Sequence, residues 1–132
     1  MLLSDEFVSQ YPAENVEWGF NGVGYITYKR TYARTKTDGT LEEWPDTIRR
    51  CIEGAQEIGA EYTVEEAQRL FQYMYNLKAL LGGRFLWQLG TETVKKYGKS
   101  SLVNCWFVPA NSIDSFCFTF DMLMLGGGVG FS

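Results

Sequence analysis

The chain has 132 residues, 45% hydrophobic and 16% aromatic, which suits one modest globular domain and lies well above the disordered range. Its net charge of −4, with Lys and Arg dispersed among the acids and no basic run, gives no footing for a polynucleotide partner. No apolar stretch approaches the roughly 18–20 residues of a membrane helix, and the Met-Leu-Leu-Ser-Asp-Glu start lacks the layout of a signal peptide, so no membrane association and a cytoplasmic location are expected.

Residues 1–23 read as a short helix and then a loop, punctuated by Pro12, Gly19, Gly22 and Gly24. The run from Gly24 to Arg34 is rich in aromatic and β-branched residues and reads as extended, with a helix as the alternative. Asp38-Gly39 marks a turn. Trp44-Pro45-Asp46 starts a helix, with proline early, and Ile48, Cys51, Ile52 and Ala55 carry it to about Gly59. Thr63-Val64-Glu65-Glu66 is a capping box. The helix it opens has Ala67, Leu70, Phe71, Met74, Leu77 and Leu81 at helical spacing, and Gly82-Gly83 is expected to end it.

Arg84, the Phe85-Leu86-Trp87 run and a lysine-bearing polar stretch follow. Residues 101–108 read as a strand, apolar on both faces and therefore expected to be buried in an α/β sheet. Pro109 ends it, and Ser112 caps a helix to Leu125 whose apolar side chains cover several faces, Cys117 on the main stripe, so that it too is expected to be buried. Gly126-Gly127-Gly128 stops that helix, and Val129-Gly130-Phe131-Ser132 begins another extended run. Strand, helix, glycine turn and a further strand form the opening of a βαβ unit. The expectation is that the rest of the sheet lies in another polypeptide, with a truncation product as the alternative.

Three cysteines without CxxC spacing argue against both a disulfide framework and a zinc site, so no metal site is expected in this chain. The absence of histidine removes Cys-His and Ser-His pairs. Catalysis must then use cysteine, carboxylates, backbone groups or another chain.

The run Tyr25-Ile26-Thr27-Tyr28-Lys29-Arg30-Thr31-Tyr32-Ala33-Arg34, followed by Glu43-Trp44-Pro45-Asp46-Thr47, resembles the start of monomeric adenosylcobalamin-dependent (class II) ribonucleoside-triphosphate reductases. Asn104-Cys105-Trp106-Phe107-Val108 looks like their first barrel strand. Phe118-Thr119-Phe120-Asp121, through Met124-Leu125-Gly126-Gly127-Gly128-Val129-Gly130-Phe131-Ser132, looks like their first barrel helix and the entry to the second strand. The order agrees along nearly the whole chain, and the motifs are specific in combination.

The resemblance implies an α/β fold: a mainly helical N-terminal region over 1–90, then, over 91–132, the first strand and helix of a ten-stranded α/β barrel completed by another chain. It also implies thiyl-radical reduction of a ribonucleotide with adenosylcobalamin, bound mainly through the partner chain, and a thioredoxin-like reductant acting via that partner. Cys105 falls on the first member of the barrel redox pair, the second cysteine belonging to the partner. Arg84, Asn104, Gly127 and Gly128 are the implied substrate-binding positions. Two departures stand out: related reductases often carry Thr-Pro where Gly83-Arg84 stand and serine where Asn104 stands.

Each site has a plainer alternative. A cysteine in an apolar strand is ordinarily inert core, and Cys51 and Cys117 are read that way. The glycine run is a helix cap and turn, or a place where a nucleotide approaches the backbone, with Gly130 serving the same purpose. Arg84 is a capping arginine or a phosphate contact. For the chain as a whole, the alternatives to a split-reductase subunit are a non-catalytic fragment or interaction module, a piece joined after translation by an intein, and a radical reductase of another metallocofactor class.

Overall fold

Apolar residues at helical spacing organise the first two-thirds of the chain. The computed structural model describes residues 2–132, which fall into two units, the first ending at Gly90 and the second spanning Thr91–Ser132. The first contains α1 (Asp5–Val8), α2 (Val23–Thr31), α3 (Trp44–Glu57), α4 (Val64–Tyr75) and α5 (Gly83–Gln88). The second contains α6 (Glu92–Tyr97), β1 (Cys105–Val108), α7 (Ile113–Met124) and β2 (Gly128–Phe131).

In the first unit, Trp44, Ile48, Cys51 and Ile52 of α3 and Ala67, Phe71 and Met74 of α4 form the buried seam. The Trp44 indole N–H donates to the Met74 carbonyl at 3.2 Å, which closes the carboxyl end of α4 against α3. Phe71 packs edge-on to Phe7, 5.4 Å between centroids, and also meets Tyr11 and Tyr75. The expected capping box is formed: Glu66 N–H donates to Thr63 Oγ1 at 3.2 Å, and Thr63 N–H donates to the Glu66 carboxylate at 2.9 Å.

Three expectations fail here. The 24–34 run is not extended but takes the helical alternative, most of it as α2. Helical spacing lets Tyr28 enter the core, stacked 5.0 Å from Trp18 and edge-on to Trp44, and this burial overrides the β preference of the individual residues. The helix from Thr63 stops at Tyr75 rather than Leu81. Leu77 takes a left-handed φ of 55°, Lys78 N–H bonds the Tyr73 carbonyl and Leu77 N–H the Met74 carbonyl, which is a Schellman ending with leucine in the position that glycine usually holds. Gly82-Gly83 therefore opens α5, which includes the Phe85-Leu86-Trp87 run.

In the second unit, β1 and β2 pair in parallel, with α7 as the crossover, so the βαβ opening is present. The strand is shorter than expected, because Lys99–Leu102 is a 3-10 turn. The Ser112 cap is as expected, its hydroxyl accepting from Ser115 N–H at 3.2 Å. The burial expected for β1 and α7 is not found in this chain: Phe107 is 68% exposed, Ile113 81% and Met124 87%, and only Ser115 of α7 is buried. Cys117, expected to be a packing residue, is exposed as well. Their apolar side chains have too few neighbours here to cover them.

Candidate functional site

The two parallel strands define the candidate site. Their register pairs Cys105 with Gly128, Trp106 with Val129, Phe107 with Gly130 and Val108 with Phe131. Side chains alternate along a strand and register partners share a face. One face therefore carries Cys105, Phe107, Gly128 and Gly130, and the other Trp106, Val108, Val129 and Phe131. Trp106 meets Phe118 of α7 edge-on at 5.8 Å, so α7 packs on the second face, while on the first Cys105 and Phe107 stand bare. The Cys105 thiol is free and exposed.

The glycine run divides by cause. Gly126 has a φ of 79° and forms the helix ending, its N–H bonding the Leu123 carbonyl while Gly127 N–H bonds the Met122 carbonyl. Gly127 is buried, and a Cβ there would lie 3.1 Å from both the Met122 carbonyl oxygen and the Trp106 ring, so packing within the chain disfavours any larger residue. Gly128 has neither constraint: its nearest neighbour would be the Asn104 carbonyl at 3.8 Å, and its φ is not left-handed. A Cβ at Gly130 would make ordinary contact with Phe107 at 3.4 Å. Within this chain nothing requires the two glycines beside the thiol.

Asn104 is joined to this face through its backbone, its carbonyl accepting from Gly128 N–H at 2.8 Å. The Trp106 indole nitrogen is buried without a hydrogen-bond partner among the described residues. Reading β1 as uniformly apolar missed Phe107 as a neighbour of the thiol, and strict period-two alternation was the signal that would have found it. The structure thus brings Asn104, Cys105, Gly127 and Gly128 together in the second unit. Arg84 lies on α5 of the first unit, half-buried.

Cys51 has a different setting. It is fully buried on α3, and burial pushes its thiol up to about 11 from an ordinary 9.0, as befits an inert core cysteine. Among the described residues no group of three or more His, Cys, Asp or Glu side chains could hold a metal ion, and no helix is long and apolar enough to cross a membrane.

Comparison with known proteins agrees with this geometry. Adenosylcobalamin-dependent ribonucleoside-triphosphate reductases of Lactobacillus leichmannii and Euglena gracilis are 38% and 34% identical to the chain over 98% of its length. A probable enzyme of the same name from Dictyostelium discoideum is 36% identical over the same share. The chain spans about a fifth of the length of these relatives (22%, 20% and 19%). A solved B-12-dependent (class II) ribonucleotide reductase superposes with a TM-score of 0.80 at 36% identity, over 98% of this chain and 22% of that one. Residues 3–91 match the ribonucleotide reductase alpha domain, and the chain belongs to the ribonucleotide reductase family, corresponding to the N-terminal region of its class II members.

Proposed function

We propose that this chain is a subunit of a split, adenosylcobalamin-dependent ribonucleoside-triphosphate reductase, inactive alone, in which Cys105 supplies one of the two reducing thiols. The observation that carries this reading is the bare face of the β1–β2 pair, where an exposed thiol stands beside two glycines that the chain's own packing does not require. Replacing the substrate's 2′-hydroxyl by hydrogen takes two electrons. Cys105 and a cysteine of the partner chain each give up a hydrogen, the two sulfurs join as a disulfide, and the C2′ oxygen leaves as water. A thioredoxin-like dithiol acting through the partner restores both thiols.

The substrate contacts follow the same logic. Gly128, with Gly130, leaves room for the ribose to approach the strand backbone beside the sulfur. Gly127 shapes the turn beneath, Asn104 enters through its backbone, whose carbonyl holds Gly128 N–H in place, and Arg84, on α5, takes the phosphates, for which a guanidinium is well suited. The chain has no histidine, and in this reading adenosylcobalamin is bound mainly through the partner chain, which also starts the radical chemistry.

The uncovered apolar side chains of β1 and α7 support a barrel completed by that partner, since parallel sheets are ordinarily covered on both faces. The domain reading, a helical region over 1–90 and a barrel start over 91–132, belongs to the same proposal. Co-expression with the remaining reductase polypeptide, followed by an assay for ribonucleoside-triphosphate reduction, tests it. Activity that requires both chains and adenosylcobalamin supports the split reductase. Chains that do not associate return this one to a non-catalytic fragment, and activity without adenosylcobalamin moves it to another cofactor class.

A further inference from the structure

The first unit holds a buried ionic cluster that the redox reading does not use. Glu42 and Arg50 are paired with side-chain exposures of only 7% and 12%. Arg50 Nε donates to Glu42 Oε1 at 2.7 Å and Nη2 to Oε2 at 3.1 Å, a bidentate arrangement. The remaining donors turn to α5: Nη2 bonds the Leu86 carbonyl at 2.9 Å and Nη1 the Leu89 carbonyl at 2.5 Å. Glu42 is held in turn by Arg34 N–H at 3.0 Å and the Thr47 hydroxyl at 2.7 Å. With the Thr47 proton committed to Glu42, Tyr28 OH donates to Thr47 Oγ1 at 2.8 Å.

Other contacts fix the same short helix. A Cβ on Gly54 would collide with the Gly90 backbone, and one on Gly90 with the Arg50 carbonyl, so α3 and the end of α5 meet backbone to backbone. The Arg34 guanidinium lies 5.6 Å over the Trp87 ring. A Cβ on Gly83 would stand 3.0 Å from Tyr32 OH. Both ends of α5 are thus set by Tyr32 and Arg34, just past the end of α2, and by Arg50 and Gly54 of α3. A buried ion pair contributes little net stability compared with apolar residues of the same size, but its directional bonds select one arrangement. Here the direction selected is that of a six-residue helix whose second residue is Arg84.

We propose that Arg50, locked by Glu42, is a positioning residue that holds α5 and so presents the Arg84 guanidinium to the substrate phosphates. This rests on the reading of Arg84 as a phosphate contact given above. Arg50 acts on substrate affinity only through Arg84.

The test measures KM and kcat of the assembled reductase for wild type, Arg84→Ala, Arg50→Lys and the double variant, with amide hydrogen exchange of residues 85–89 in the full chain. Lysine keeps the charge and loses the fork. Arg84→Ala should raise KM on the order of tenfold with kcat little changed, the loss of one charge-assisted contact. Arg50→Lys should raise KM severalfold and speed exchange at 85–89 while residues 67–74 of α4 keep their protection. The double variant should match Arg84→Ala alone. Should Arg50→Lys fold poorly, Thr47→Val, which removes a single donor to Glu42, carries the same comparison with a smaller effect. If Arg84→Ala raises KM and Arg50→Lys does not, positioning is rejected and the phosphate contact stands. If the two effects multiply in the double variant, Arg50 acts independently of Arg84 and the proposal is overturned. An unchanged KM in Arg84→Ala removes the phosphate contact and the positioning role together.

Discussion

Cys105 and Gly128 are register partners on the two parallel strands, so the thiol has beside it a position with no side chain. The neighbouring Gly127 is one residue away but on different terms, since the Trp106 ring and the Met122 carbonyl fill the space where its Cβ would be. The two glycines should therefore respond differently to the same substitution. Gly127→Ala should destabilise the second unit by roughly 1–3 kcal/mol, the usual cost of overpacking, seen as a lower denaturation midpoint. Gly128→Ala should leave that midpoint nearly unchanged and raise the substrate KM of the assembled enzyme. Equal midpoint losses in both would remove the argument that Gly128 is kept open for a ligand.

The thiols should sort by environment. In the native chain, Cys105 and Cys117 are exposed and Cys51 is buried, so a thiol-alkylating reagent near neutral pH should add two labels, and three in denaturant, counted by intact mass. The Cys51 thiol is neutral when folded, with its pKa raised from 9.0 to about 11 by burial. A raised acid pKa contributes stability that is complete below pH 9 and is lost as pH climbs through 11. Burial raises the Tyr28 phenol above its usual 10.0 in the same sense. Chemical denaturation at pH 8 and pH 11 should show an alkaline loss on the order of 2 kcal/mol, and Cys51→Ala should show less of it. A pH-independent midpoint across that window would contradict the burial of these groups.

Glu42→Ala should be among the costlier single changes in the first unit. It leaves the Arg50 charge buried against two carbonyls with no carboxylate, a situation that typically costs about 3–5 kcal/mol. Urea denaturation followed by tryptophan fluorescence reads it directly, because Trp18 and Trp44 both lie against Tyr28, which bonds the same cluster. A loss below about 1 kcal/mol, the range of exposed pairs, would mean that the pair is hydrated in solution.

Phe71→Ala should cost about 3–5 kcal/mol, because the ring is fully buried among Phe7, Tyr11 and Tyr75 and its removal leaves a cavity that these rings close only in part. The same denaturation series measures it, and a negligible change would indicate that α1 and its following turn are not packed on α4.

Much of this architecture was legible in the chain. The α3 seam, the Thr63–Glu66 capping box and the Ser112 cap follow from spacing and from side chains that bond locally. The strand–helix–strand order did as well. What escaped was set by tertiary packing. The tyrosines of α2 favour a strand one by one and become helical because Tyr28 has Trp18 and Trp44 to meet. Leu77 ends α4 in a conformation that leucine rarely takes, so the glycine pair downstream was read as the stop. At the site, Cys105 and the glycines were readable as a group. The division between Gly127 and Gly128, and the presence of Phe107 on the thiol's face, needed the strand register. The Glu42–Arg50 cluster, built from a strand-like connection and two helices, leaves no periodic trace.

The most direct test of the central claim is multiple-turnover ribonucleoside-triphosphate reduction by the assembled, adenosylcobalamin-supplied enzyme with a thioredoxin-type reductant, comparing native chain with Cys105→Ser. Serine preserves the size of the side chain and removes the sulfur that must join its partner. Sustained turnover by the native enzyme and its loss in the serine variant, with both assemblies equally intact, is the predicted result. Normal sustained turnover by Cys105→Ser would contradict the account and return Cys105 to the status of an ordinary strand residue.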